Sequence, residues 1–79
     1  MKERIKGMNK AREILGDMLT LKIVREPEER EEIIGLYAAY KAVTETLIEA
    51  IEAYAPEQAE DCAEARRRLS EMEAAACGI

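Results

Sequence analysis

The chain contains no histidine, tryptophan or phenylalanine, and its 79 residues include only three tyrosines, two cysteines, two prolines and four glycines. Without histidine there is no imidazole base, no Ser-His or Cys-His nucleophile pair and no histidine ligand for zinc. Two cysteines cannot complete a four-ligand zinc site by themselves. No glycine-rich phosphate loop occurs, and three tyrosines offer little surface on which nucleobases could stack, so nucleic acid is not an expected partner. No apolar run approaches the roughly 18 to 20 residues of a membrane span, and Met1-Lys2-Glu3-Arg4 leads into no signal-peptide core. These absences lead to the expectation of a cytoplasmic, non-membrane protein that is not an enzyme and carries no cofactor or metal.

What is present points to helices. Hydrophobic residues make up 48% and charged residues 37% of the chain, outside the range of disordered segments and close to that of Ala/Glu/Leu/Arg-rich helical proteins. Pro27 and Pro56 are each followed by glutamates, Glu28-Glu29 and Glu57. Proline at a first helical position with carboxylates near the positive end of the helix dipole reads as a helix start. The expected elements are helices over about 2–24, 27–54 and 56–76 in a single 1–79 domain, with a short extended stretch possible within Leu19 to Val24.

The central segment carries two distinct stripes. Ile33, Tyr37, Tyr40, Thr44, Leu47, Ile51 and Tyr54 recur at steps of four and three, which is one face of an α-helix. Gly35, Ala39, Ala42, Thr46 and Ala53 lie on the far side, where small side chains let a neighbouring backbone come close. The third segment is thin, with Ala59, Cys62, Ala65, Leu69, Met72 and Ala76 on its apolar face. The expectation is that helix three docks on the small-residue stripe while helix one, with Ile5, Met8, Leu15 and Leu19 on one stripe and Ala11, Ile14, Met18 and Leu21 on a second, covers the bulky one.

This gives an all-α, antiparallel three-helix bundle. A chain of this length buries only about 60% of its unfolded surface, and large side chains remain over. They lead to an expected homodimer through Leu36, Tyr37, Tyr40, Val43, Leu47, Ile48, Ile51 and Tyr54. A disulfide is not expected to add stability, because Cys62 and Cys77 on one helix stand about 22 Å apart. Cys62 is expected to be buried and Cys77 exposed.

Charge is unevenly distributed: residues 1–25 carry +4, residues 26–55 carry −6 and residues 56–79 carry −3. A basic first helix beside an acidic second one reads as register selection between neighbours. Arg66, Arg67 and Arg68 are a candidate anion-binding cluster; the alternative is that Arg67 and Arg68 pair with Glu60, Glu64 or Glu71 and Arg66 reaches an acid of helix two. Glu28, Glu29 and Glu32, with Glu49 and Glu52 further along, form a pattern similar to the metal-binding acids of all-α nucleoside triphosphate pyrophosphohydrolases. That resemblance implies Mg²⁺-dependent hydrolysis of a triphosphate by acids from two facing helices. In this chain the second pair ends in glutamate where that family has aspartate, and it lies about 25 Å or more from Glu28 on the same axis.

The functional expectation is a small helical regulator, adaptor or inhibitor acting by contact with a protein partner, of a kind that phage and mobile elements encode. The alternatives are a nucleotide or small-ligand binder with a pocket between protomers, using Arg66 to Arg68 or Arg12 with tyrosines, and the Mg²⁺-dependent hydrolase.

Overall fold

The computed structural model of the chain describes residues 2–78 and contains three long helices joined by short connections: α1 (Lys2–Arg25), α2 (Arg30–Tyr54) and α3 (Ala59–Cys77). No strand occurs among the described residues, and Leu19 to Val24 is helical to its end. Glu3 in the first turn of α1 and Lys22 and Arg25 in its last turn complement the helix dipole. Glu31 and Glu32 open α2, and Glu60 with Asp61 opens α3, in the same sense.

Both prolines act before the helices rather than inside their first turns. Residues 26–29 form a turn in which the Glu29 amide donates to the Glu26 carbonyl at 3.0 Å, and α2 starts at Arg30. Glu29 is the N-cap residue, and its carbonyl accepts from Ile33 N–H at 3.0 Å. Pro56 opens a single 3₁₀ turn, Pro56–Gln58, that leads into α3. At the far end of α3 the Gly78 amide donates to the Ala74 carbonyl at 3.0 Å. Its φ of −85° is accessible to any residue, so the left-handed freedom of glycine is not used there.

α2 is the spine of the bundle, packed against α1 along one flank and α3 along the other. Its bulky stripe supplies most of the core: Ile33, Tyr37, Tyr40, Thr44, Leu47, Ile48 and Ile51 are all buried. The core has two apolar clusters. One joins Ile5 of α1 to Leu47, Ile48, Ile51 and Ala55 and to Cys62 and Ala65 of α3. The other joins Leu19 to Ile33, Tyr37 and Ala76, with Ile23, Leu36, Leu69 and Met72 packed around them. Between these clusters along α2 lie Tyr40 and Thr44. Gly16 of α1 meets Tyr40 there, and a Cβ at Gly16 would stand 3.2 Å from the Tyr40 ring and 3.6 Å from the Met72 methyl.

The expected assignment of α3 to the small-residue stripe of α2 is overturned. Gly35, Ala39, Ala42, Thr46 and Ala53 are all exposed, whereas Cys62, Ala65 and Ala76 of α3 pack with the large residues of α2. The reason is one of volume. Small side chains on α3 leave room for Ile48, Ile51, Ile33 and Tyr37 to project across the gap, so large meets small and density is preserved. Small against small would have left the bulky stripe to α1 alone.

Candidate functional site

The face of α1 and α2 turned away from α3 is an open groove of about 630 Å³, lined by Met18, Leu21, Lys22 and Arg25 from α1, Glu26 from the turn, and Glu32, Gly35 and Leu36 from α2. Its α1 wall is a ridge. Ile14, Met18 and Leu21 follow one another at steps of four and three and remain 50%, 49% and 51% exposed, because α1 has a second apolar stripe beside the one that α2 and α3 cover. Its α2 wall is formed by Glu32, Gly35 and Leu36, and from Gly35 the small-residue stripe continues along α2 through Ala39, Ala42 and Thr46, all exposed. No atom comes within 4 Å of the position a Cβ would occupy at Gly35. A ridge of large side chains on α1 thus runs beside a strip of small side chains on α2.

One end of the groove is fastened by Lys22, which bridges Glu26 in the turn and Glu32 in α2. Hydrogen bonds to Glu26 and then Glu32 raise the lysine pKa above its ordinary value, so the ammonium stays charged through the physiological range. This clasp ties the last turn of α1 to the first turn of α2. Arg25, one turn on, forms no ion pair among the described residues.

The residues expected to form an interface divide between two environments. Tyr37, Tyr40, Leu47, Ile48 and Ile51 are buried in the core of the single chain and present no surface to a partner. Leu36 and Val43 are half-buried on the groove side, and Tyr54 stands 61% exposed at the end of α2. The surplus apolar surface expected on α2 therefore lies mainly on α1, in Ile14, Met18 and Leu21, with Val24 and Ile34 exposed elsewhere. The signal was already in the double stripe of helix one.

The arginine cluster is internally neutralised. Arg66 pairs with Glu52 of α2 at 3.1 Å, Arg67 holds Glu64 and Glu71 at 2.6 Å each, and Arg68 reaches Glu64 at 3.0 Å. Glu64 is held down to a pKa of about 2 by its hydrogen bonds from Arg67 and then Arg68, and the same contacts raise both arginines. An incoming anion would have to displace these carboxylates.

Arg12 lies in the shallow channel between α1 and α3, its guanidinium bound to Asn9 Oδ1 at 2.9 and 3.2 Å. It shares that channel with Tyr40 and Arg68 but also with Glu13, Asp17 and Glu64, so the lining is charge-mixed rather than cationic. Burial, and then the nearby Glu73 carboxylate, pushes the Tyr37 hydroxyl pKa above its ordinary value. Burial, followed by the nearby Glu52 carboxylate, raises the Cys62 thiol, whose Sγ lies 3.8 Å from the Ile48 carbonyl oxygen. It is an inert core thiol. Cys77 is free and exposed.

Of the acids that resemble a pyrophosphohydrolase motif, Glu32 binds Lys22 and Glu52 binds Arg66. No group of three or more acidic or thiol side chains able to hold a metal ion forms among the described residues. No helix among them is long and apolar enough to cross a membrane. Comparison with protein-family models, curated proteins and solved structures matches the chain to none of them.

Proposed function

We propose that the chain acts through protein–protein contact, as a small regulator, adaptor or inhibitor, and that the open α1–α2 groove is its contact surface. The observation that carries this reading is the alignment of Ile14, Met18 and Leu21, each about half exposed, along a groove whose other wall opens at Gly35 onto the exposed small-residue stripe of α2. Covering apolar area contributes about 25 cal/mol per Å² removed from water, and a ridge of three large residues gives a docking helix a continuous strip to cover. Exposed alanines and a glycine on α2 allow that helix to come close. A reducing cytoplasm suits the two free thiols, Cys62 and Cys77.

The test is a photo-crosslinking amino acid placed at Leu21 and, as a control, at Lys41, in the cells that produce the protein. Adducts are expected from position 21 and not from position 41. Equal labelling at the two positions would count decisively against the groove.

A further inference from the structure

We infer that the occupant of the groove is a second copy of this chain, arranged so that α1 of each copy lies over α2 of the other. The inference rests on the reading of the groove as a contact surface and adds the identity of what fills it. A two-fold interface must be self-complementary, because the same patch supplies both sides. This patch is self-complementary in shape: it carries a ridge, Ile14, Met18 and Leu21, and beside it a strip that lacks bulk, Gly35, Ala39 and Ala42. A two-fold axis running along the helices, in the plane of the groove, sets each ridge against the other copy's strip, antiparallel.

The patch is also self-complementary in charge. Lys10 and Arg25 flank the ridge, one turn before Ile14 and one turn after Leu21; Glu31 and Glu49 flank the strip, one turn before Gly35 and one turn after Thr46. All four are exposed and none forms an ion pair among the described residues. The two cations are about 22 Å apart and the two anions about 27 Å apart along their helices. The proposed axis keeps the levels seen within one chain, where Lys22 pairs with Glu32 and Gly16 faces Tyr40. At those levels Arg25 falls beside the other copy's Glu31 and Lys10 falls about one turn from its Glu49. The segment charges of +4 and −6 thus attract twice across the interface.

Size is adequate. The molecule measures 40 × 19 × 14 Å, so a long face has a footprint of the order of the ~800 Å² that each partner contributes to a standard interface. The result would be a four-helix core of two α1–α2 pairs, with α3 of each copy on the outside.

Light scattering over a micromolar-to-millimolar dilution series tests this. Wild type is expected to reach twice the 8.9 kDa chain mass. Ala39→Glu and Met18→Glu, both at exposed positions, are expected to remain at 8.9 kDa with unchanged helical circular dichroism. Ile34→Glu, away from the groove, should leave the larger mass intact. A chain carrying Lys10→Glu and Arg25→Glu should associate more tightly with one carrying Glu31→Lys and Glu49→Lys than either does with itself, since only the mixture restores opposite charges at both contacts.

Wild type at 8.9 kDa throughout, dissociation by Ile34→Glu equal to that by Ala39→Glu, or no preference for the charge-reversed mixture would overturn the proposal. Crosslinks from position 21 to a different protein, with a monomeric wild type, would remove the second copy while leaving the contact surface standing. No crosslink from that position would remove both.

Discussion

Thr44→Val is expected to make the protein more stable, contrary to the usual effect of a core substitution. Thr44 is completely buried at 0% exposure, and its hydroxyl has no hydrogen-bond partner among the described residues. The other helical threonines show what is missing: Thr20 and Thr46 each donate to the carbonyl four residues earlier, Gly16 and Ala42, at 2.9 Å. A hydroxyl taken out of water without a partner costs roughly 1–3 kcal/mol by mutational measures. Valine occupies the same volume with a methyl in its place, so no cavity opens, and its helix propensity is close to that of threonine. The expected gain is about 1–2 kcal/mol. For a domain of this size 1 kcal/mol moves Tm by roughly 4–8 °C, which places the shift on the order of 5–15 °C.

Thermal and urea unfolding followed by far-ultraviolet circular dichroism would measure it, at one protein concentration because any association would add a concentration-dependent term. Thr44→Ser supplies the opposite control: it keeps the hydroxyl and deletes a methyl worth about 0.8 kcal/mol, giving the order Val, Thr, Ser. A valine variant less stable than wild type would refute the reasoning, since it would mean that the hydroxyl is satisfied in solution by the Tyr40 carbonyl or by a trapped water.

Other consequences are equally direct. Gly35→Ala, at a position with open space, should stabilise by about 0.5–1 kcal/mol through the helix propensity of alanine, whereas Gly16→Val should destabilise by roughly 1–3 kcal/mol because its branches meet the buried Tyr40 ring; urea titrations distinguish the two. Cys77, being exposed, should react promptly with a thiol reagent and Cys62 only as the bundle opens, so a labelling time course should show one fast and one slow thiol. The depressed Glu64 pKa of about 2, against an ordinary 4.5, means that its contribution is fully present above pH 4.5 and disappears as pH falls towards 2. Glu64→Gln should therefore flatten the dependence of Tm on pH within that window, and a parallel pair of curves would remove the assignment.

The all-α class and the number of helices were legible in the two prolines and in the four-and-three spacing, as were the burial of Cys62 and the local pairing of Arg67 and Arg68. Helix starts were less so: proline fixes its own φ, but whether it stands inside the first turn or before it depends on how the connection closes, here through Glu29 to Glu26. The larger misreading concerned faces. Periodicity along α2 shows that a bulky stripe and a small stripe exist, but it does not say which neighbour takes which. That choice depends on the combined volumes of facing side chains. Cys62, Ala65 and Ala76 decide it by making room for Ile33, Tyr37, Ile48 and Ile51. Once α3 has taken its place there, the second stripe of α1 is left without cover.

The two apolar clusters divide the core of the bundle into two units joined at a waist. Each unit contains one interhelical turn and one docked chain end. The cluster around Leu19 and Ile33 holds the α1–α2 turn and receives Ala76 from the end of α3, while the cluster around Leu47 and Ile51 holds the α2–α3 turn and receives Ile5 from the start of α1. What couples them is Tyr40, Thr44 and the close approach at Gly16, a junction with little aliphatic bulk and one orphaned hydroxyl. Native-state hydrogen exchange is therefore expected to show different opening free energies for amides at the two ends. The groove lies beside the first of these ends, where Leu36 both lines it and packs against the core, so a change in packing at that end is felt at the groove before it reaches the half of the molecule that carries Cys62.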